Sequence, residues 1–479
     1  MAEMFIGGAA VDLPDLERRE ILNPASGQPV DTVPVGTAAE VDRAVRAADE
    51  AFIPWWETSA ARRGEIVHHG ARLVHDHIGD LAHLLTAEQG KPLREARLEI
   101  HRFVLTLEHY AGLAKNLRGA YVPNLDKDTY GLVTKRPLGV VGAIVPWNFP
   151  TTLLSNKLAP ALVAGNTMVA KPADSTPLTT LRIAALLHEA GLPAGVFNVV
   201  TGRGSVVGEA LVTHPLVRKI GFTGSTPVGE HVMELAAKGA KRLTLELGGS
   251  DPLIILADGD LERAASAASV GRFFNCGQAC LAVKRVFVAE EVADEVVEKL
   301  IAKAKRLTIG PGTMDGVFLG PLHSERQRAE IEEQVEDAKQ TGEVLLGGRR
   351  PDGDQYDAGW FYEPTVILEP ARDSRVAREE VFGPVLPIWK VSGIDEAIER
   401  ANDSPFGLGS SVWTHDLDAA SWAAERLQAG YTWVNSPQRI FDELPFGGWG
   451  ASGFGKEHGI EALDHYMESK SVVVRRNRP

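Results

Sequence analysis

Two cysteines four residues apart, Cys276 and Cys280, lie in the segment Phe273-Phe274-Asn275-Cys276-Gly277-Gln278-Ala279-Cys280. Upstream stands Glu246, followed by Leu247-Gly248-Gly249. A thiol that attacks and a carboxylate that takes a proton make a covalent catalyst. Attack requires the thiolate, and a thiolate needs donors or positive charge beside it. Glycine and Gln278 ahead of Cys280 favour an open turn over a packed helix. The alternative is a pair of buried, inert thiols. A carboxylate leading into two glycines suits a base that moves; it suits a capping or salt-bridged acid equally well. Asn148 sits in Pro146-Trp147-Asn148-Phe149-Pro150, a turn stiffened by two prolines. Its amide either aims at a developing oxyanion or serves the turn alone.

Two further segments have the chemistry of nucleotide recognition. Phe222-Thr223-Gly224-Ser225-Thr226-Pro227-Val228-Gly229 reads as a strand, a tight turn and a helix start. The free amides of such a helix attract phosphate, with Ser225 as a cap or a phosphate donor. Its spacing is neither G-x-G-x-x-G nor a P-loop, and a plain capped turn fits it too. In Lys171-Pro172-Ala173-Asp174 a lysine at a strand end and a nearby acid can bind a ribose diol. They can also form a surface turn in which Asp174 caps the next helix.

These groups need a scaffold that gathers strand ends. Helical periodicity runs from Ala39 to Phe52, from Ile66 to Leu85 and from Leu93 to Leu113, while residues 1–38 read as irregular. Five histidines (His68, His69, His75, His77, His83) are spread round the helix and read as solvated surface. Tyr121–Pro123 and Tyr130–Lys135 alternate like the strands of a projecting hairpin. From Val140 onward strands and helices alternate. The strands are 140–145, 167–170, 196–200 and 219–222; the helices are 153–163, 178–190, 206–211 and 227–237. A second alternating block follows from Leu253 to Val434, then a helical 459–467 and a strand 471–475. Such alternation predicts two α/β units with parallel sheets and ligands at the C-terminal strand ends.

Composition narrows the partners. Lys+Arg 50 against Asp+Glu 64 leaves a formal charge of −14, which disfavours nucleic acid and anionic membrane. No run reaches the roughly 18 apolar residues of a membrane span, and no basic-then-apolar leader opens the chain, so a cytoplasmic location is expected. Two cysteines are no disulfide framework, and no Cys or His spacing implies a metal.

Taken together the pieces resemble the aldehyde dehydrogenase superfamily. The resemblance rests on Pro146-Trp147-Asn148-Phe149-Pro150, Lys171-Pro172-Ala173, Phe222-Thr223-Gly224-Ser225, Glu246-Leu247-Gly248-Gly249, Gly277-Gln278-Ala279-Cys280, Glu380-Val381-Phe382-Gly383-Pro384, and Pro445-Phe446-Gly447-Gly448 leading to Ser452-Gly453, in that order. It implies that Cys280 is the nucleophile that adds to an aldehyde, with the oxyanion held by Asn148 and the Cys280 backbone N–H. Hydride transfer to NAD then leaves a thioester, hydrolysed by water that Glu246 activates. It implies adenosine-ribose contacts at Lys171 and Asp174 and pyrophosphate contacts near Trp147, Gly224 and Ser225. It places Glu380 at the nicotinamide ribose with Phe382 beside it. The implied domains are NAD(P)-binding (1–118 and 139–247) and catalytic (248–435). Residues 119–138 and 468–479 form a β element for a homodimer or homotetramer, and 436–467 form the substrate-mouth loop and the return.

Two departures stand out. Position 174 is Asp where NAD-using relatives commonly carry Glu, which leaves NADP open beside NAD, and Pro227 replaces a polar residue. By position Phe149, Asn156, Phe274, Leu281 and Phe446 line the aldehyde tunnel, with Asn156 widening it. Arg439 in the mouth loop either meets a substrate carboxylate, as a semialdehyde would need, or points to solvent. A CoA-acylating relative is disfavoured by Glu246. A retired, non-catalytic relative is disfavoured by retention of Cys280, Glu246 and Asn148.

Overall fold

Runs of β-branched residues alternate with amphipathic helices to build two mostly parallel sheets in the computed structural model, which describes residues 1–476. The first sheet has eight strands, ordered Ala9–Val11, Met4–Ile6, Phe197–Val199, Thr167–Lys171, Val140–Ile144, Val217–Thr223, Arg242–Glu246 and Gly453–Phe454. The five from Phe197–Val199 to Arg242–Glu246 run parallel, and Met4–Ile6 and Gly453–Phe454 join them antiparallel. Helices cover both faces, so the inner strands are buried throughout and apolar without alternation. The parallel order sets four C-terminal ends side by side. These lead into Trp147-Asn148, Lys171, Gly224-Ser225 and Glu246.

The second sheet runs Glu343–Leu346, Thr365–Leu368, Val385–Val391, Val283–Ala289, Asp251–Ile255, Gly409–Trp413 and Tyr431–Val434. All its pairs are parallel except the first. Cys280 enters the Val283–Ala289 strand through a short turn. A third, antiparallel sheet joins Ala120–Asp126, Thr129–Pro137 and Met467–Arg475. Its outer residues include exposed Tyr121, Leu125 and Val473. The last three residues of 468–479 lie outside the described residues.

Four sequence expectations are corrected. Residues 1–38 are not irregular: they hold the strands Met4–Ile6, Ala9–Val11, Arg18–Leu22 and Pro29–Pro34. These are three to six residues long and pair as two short local hairpins, too short to carry a strong alternation. The periodic run 66–85 is two helices, Ala60–Asp76 and Ile78–Gln89, broken at His77, whose Nδ1 bonds the Leu73 carbonyl (2.9 Å). The helix expected over 206–211 is a π turn, Gly204–Gly208, followed by Glu209–Thr213. Over 459–467 only Glu461–Asp464 is helical, because Met467 already pairs with Pro137. Four of the five histidines are exposed and His77 is half-buried. No helix among the described residues is long and apolar enough to cross a membrane, and no group of three metal-ligating side chains occurs there.

Candidate active site

The nucleophile loop is strained and tightly stitched. Asn275, Cys276 and Gly277 take φ of 50°, 55° and 72°. A Cβ at Gly277 would stand 2.2 Å from the Gly383 carbonyl, so only glycine fits there. Fully buried Arg272 donates to the carbonyls of Gly277 (2.7 Å), Val381 (3.1 Å) and Gly383. One guanidinium thus ties the cysteine loop to the Glu380–Gly383 turn.

Asn148 reaches the same loop from the first sheet. Its Nδ2 donates to the Gln278 carbonyl (3.1 Å), two residues before Cys280. Its own carbonyl accepts from Lys91 Nζ (2.8 Å) and Asn275 Nδ2 (3.0 Å). Buried Lys91 pairs with Glu99 (2.5 Å), which also accepts from Thr151 N and Oγ1 (both 2.9 Å). Glu95 accepts from Asn275 N (2.8 Å), and burial raises its carboxyl to about 7. Glu95 and Glu99 were missed from sequence. Their signal was an i, i+4 acid pair interleaved with Ala96, Ile100 and Phe103, the apolar face of helix Leu93–Leu113.

Glu246 ends its strand, 3% exposed, with Oε1 unpartnered. Gly447, at φ 158°, leaves it room: a Cβ there would lie 2.7 Å from that oxygen. Burial raises the Glu246 carboxyl well above its usual range. Glu457 raises it further, while Lys157 and Lys456 oppose. Lys157, the one charged residue of the buried helix Pro150–Ala164, donates to Glu457 Oε1 (2.6 Å) and Thr223 Oγ1 (2.6 Å). That lone lysine was the overlooked signal. Asn156, expected in the tunnel wall, is buried and donates from Nδ2 to Glu457 Oε2 (3.0 Å), with Oδ1 unpartnered.

Cys280 is half-buried beside the Glu246 turn, where a Cβ on Gly249 would stand 2.7 Å from the Cys280 carbonyl. Burial pushes its thiol up to about 12. Lys284 pulls it down, while Glu246, Glu380 and Asp251 push it up. Cys276 is 1% exposed, and burial drives its thiol far above the ordinary value. Cys280 and Leu281 pack against an apolar cluster of Phe446, Trp433, Leu408, Tyr431 and Ile440. Phe149 stacks on Phe274 (6.1 Å, 8°). Tyr431 and Trp433, read from sequence only as part of a strand, join this cluster. Arg439 is exposed, its guanidinium 5.0 Å from the Phe441 ring.

The other expected cofactor residues gather on the strand-end edge. Lys171 Nζ bonds Asp174 Oδ1 (2.5 Å), and Arg19 of the N-terminal hairpin bonds Asp174 Oδ2 (3.0 Å). Ser225 is the N-cap of helix Thr226–Ala237, but its hydroxyl caps no amide. Gly224 N bonds the Glu246 carbonyl (3.1 Å). Trp147 stacks on His323 (4.4 Å, 8°) and meets Phe382 edge-on (5.5 Å). His323 was missed; it donates its backbone N–H to Gln278 Oε1, and burial lowers its imidazole to about 4. Glu380 Oε1 accepts from Lys284 Nζ (2.6 Å) and Gly249 N (3.0 Å). An open helix N-terminus with a free hydroxyl and a lysine–carboxylate pair two strands away fit a dinucleotide.

Comparison with known proteins gives the family and the fold. Residues 12–472 match the aldehyde dehydrogenase family. The chain is 40% identical to 3-sulfolactaldehyde dehydrogenase of Pseudomonas putida over 98% of its length and 96% of that protein's. It is 38% identical to the NADP(+) succinate-semialdehyde dehydrogenase of Escherichia coli, over 98% and 97% of the two chains. Among solved structures, betaine aldehyde dehydrogenase from Staphylococcus aureus, in complex with NAD+, superposes with a TM-score of 0.96 at 36% identity, covering 100% of this chain and 95% of that one. An Escherichia coli NADP-dependent enzyme superposes at 0.97 and 38% identity, over 99% and 98%. On the family match along nearly its whole length, together with the clustering of its strand-end groups around Cys280, the chain belongs to the aldehyde dehydrogenase family.

Proposed function

We propose that this NAD(P)-dependent aldehyde dehydrogenase works through Cys280, Asn148 and Glu246, and that it hydrolyses its own thioester. The observation that carries the reading is the meeting of two strand ends with the cysteine turn. Asn148 bonds the Gln278 carbonyl beside the nucleophile, and the Glu246 turn abuts Cys280 itself. The Cys280 thiolate adds to the aldehyde carbon. Asn148 Nδ2 and the Cys280 N–H hold the oxygen as it gains charge. The chemistry NAD(P) supplies when bound is hydride acceptance, which turns thiohemiacetal into thioester. Glu246 then takes a proton from water, the water oxygen adds to the acyl carbon, and the thiolate leaves. The sum is aldehyde, water and NAD(P)+ to carboxylate, NAD(P)H and two protons. Burial raises the Glu246 carboxyl well above its usual range, Glu457 adds to that rise, and Lys157 and Lys456 oppose it, so these neighbours tune the base.

In this reading the eight-stranded unit (1–118 and 139–247) holds the cofactor and 248–435 carries the nucleophile. The cofactor contacts are Trp147, Lys171, Asp174, Gly224, Ser225, Glu380 and Phe382. Phe149, Phe274, Leu281 and Phe446 form the tunnel wall. The exposed apolar third sheet serves a homodimer or homotetramer in the cytoplasm. A second reading of the substrate is favoured by the relatives. Their names include sulfolactaldehyde, succinate-semialdehyde and glutarate-semialdehyde, all aldehydes with an anionic tail. Arg439, exposed on the mouth loop, is the cation placed to meet such a tail.

The test is a panel of succinic semialdehyde, a long aliphatic aldehyde and benzaldehyde, each with NAD and with NADP. Reduction of either cofactor is expected with at least one aldehyde, and Cys280→Ser should abolish it. Turnover that survives Cys280→Ser would overturn the assignment. An Arg439→Ala variant that keeps wild-type KM for the semialdehyde would remove the second reading.

A further inference from the structure

Neither the mechanism above nor the motifs assigns a role to Lys284, the second residue of strand Val283–Ala289. It is buried to 0% exposure, and all three ammonium N–H groups are used. They go to the Gly249 carbonyl (2.8 Å), the Cys280 carbonyl (2.7 Å) and Glu380 Oε1 (2.6 Å). Its Nζ also lies 5.6 Å from the Phe382 ring centroid. One cation therefore touches the turn after the base, the nucleophile's own peptide unit and the acid expected at the nicotinamide ribose. A buried lysine is costly, and two carbonyls alone would be served more cheaply by a neutral donor. The charge itself is what the site keeps.

We propose that Lys284 is a positioning residue that sets the reactivity of Cys280, with Glu380 as its counter-ion. The proposal rests on Cys280 being the nucleophile. The charged groups facing the thiol come from four elements. Glu246 ends strand Arg242–Glu246, Asp251 opens strand Asp251–Ile255, Glu380 lies in the turn before strand Val385–Val391, and Lys284 stands on its own strand. Among these Lys284 alone favours the thiolate. In the resting structure its charge is offset by Glu380 at 2.6 Å. Any event that draws Glu380 away leaves the ammonium unbalanced beside the Cys280 carbonyl. Nucleophile activation is then linked to the occupancy of Glu380 without any movement of Cys280.

The experiment reads the thiol directly, with no turnover. Cys280 alkylation by iodoacetamide is followed by peptide mass spectrometry across the alkaline pH range in the full chain; buried Cys276 serves as the internal control. Lys284→Met should raise the alkylation midpoint by about one pH unit, roughly tenfold slower labelling below both midpoints. Lys284→Arg should stay near the wild-type midpoint. Glu380→Gln should shift it down, because it removes an anion and frees the lysine. This last arm keeps the test decisive if Lys284→Met does not fold, since loosened packing does not produce a thiol that is more acidic at unchanged melting temperature. A folded Lys284→Met with the wild-type midpoint, or a Glu380→Gln midpoint that is unchanged or raised, overturns the proposal. Cys280→Ser that retains turnover would instead sink the nucleophile assignment, leaving the titration result standing by itself.

Discussion

Replacing Glu457 by glutamine should make the enzyme work at lower pH. Glu246 pairs in register with Thr223 on the adjacent parallel strand, and the Thr223 hydroxyl accepts from Lys157, which also holds Glu457. Adjacent strands are about 4.8 Å apart, so one strand spacing plus the lysine bridge puts the two carboxylates on the order of 7 Å from each other. A unit charge at that distance is worth about 2 kcal/mol at an effective dielectric of ~20, or about 1.5 pH units. Removing it lowers the Glu246 carboxyl, and Lys157, now without its counter-ion, acts in the same direction. The Glu457→Gln substitution fits the local hydrogen bonds. The new side-chain carbonyl can accept from Lys157, and the new amide can donate to Asn156 Oδ1 once the Asn156 amide turns over, since Nδ2 is the atom that faces Glu457. The assay is the pH profile of kcat under conditions where thioester hydrolysis limits turnover. A fall of the rising limb by about one to 1.5 units is expected, with about tenfold more activity on the acid side. An unmoved or raised limb would refute the charge argument. It would mean that Glu457 serves the proton path as an acceptor and not as a repulsive neighbour.

Cofactor choice should respond to Arg19. With Lys171 and Arg19 both on Asp174, the ribose acid carries a net positive surround, so Arg19→Ala should weaken calorimetric binding of 2′,5′-ADP by about fivefold and leave 5′-AMP nearly unchanged. Equal weakening of both ligands would count against it. Stability should respond to Glu88, whose carboxylate accepts from Leu178 N (2.7 Å) and Thr179 N (2.9 Å) at the start of a helix with no side-chain cap of its own. Glu88→Gln leaves one buried amide unpaired and should cost about 1–3 kcal/mol by denaturant unfolding. Burial lifts the Glu88 carboxyl to about 7, above its unfolded value, so its protonated form favours the fold. The native state binds more protons between about 4.5 and 7, so the Glu88 contribution declines as pH rises through that window. A stability difference between wild type and Glu88→Gln that grows with pH there would contradict this.

The reacting groups were legible in the sequence because Asn148 and Glu246 follow or end strands next to proline or glycine and Cys280 sits in a glycine-containing turn, patterns local enough to read. The parallel rhythm from Val140 to Val434 was legible for the same reason: buried strands of valine and isoleucine look unlike the helices between them. What stayed hidden depends on distant pairing. Met4–Ile6 pairs locally with Ala9–Val11, but it joins the large sheet only through Phe5 beside Val199. Glu95 and Glu99 look like solvent-facing acids until the Asn148 and Asn275 turns close over them. Asn156 reads by position as a tunnel residue, and nothing local shows that its amide bonds Glu457, three hundred residues along the chain. Lys284 and Arg272 read as ordinary strand and helix cations, and nothing local marks them as fully buried.

Placement of the thiol and its charge state are separately controlled. The left-handed conformations of Asn275 and Cys276 cost roughly 1–2 kcal/mol each for residues with a Cβ. They persist because the surrounding bonds over-determine them. Arg272 holds four carbonyls, Gln278 Nε2 holds the Asn275 carbonyl (3.0 Å), and Glu95 holds the Asn275 amide. None of those groups lowers the thiol; burial by the same packing raises it. A loop rigid enough to aim sulfur at a carbonyl carbon is therefore also a loop that keeps the sulfur protonated at rest. Glu246 has the same problem, buried with one oxygen unpartnered. The site resolves it with two buried lysines standing one step behind the reacting atoms. Lys284 stands behind Cys280, Lys157 stands near Glu246, and each is held by a carboxylate. Changing either carboxylate shifts the charge on the reacting group without moving it. For this reason substitutions at Glu380 and Glu457 should alter pH dependence, while substitution at Arg272 should alter whether the loop forms.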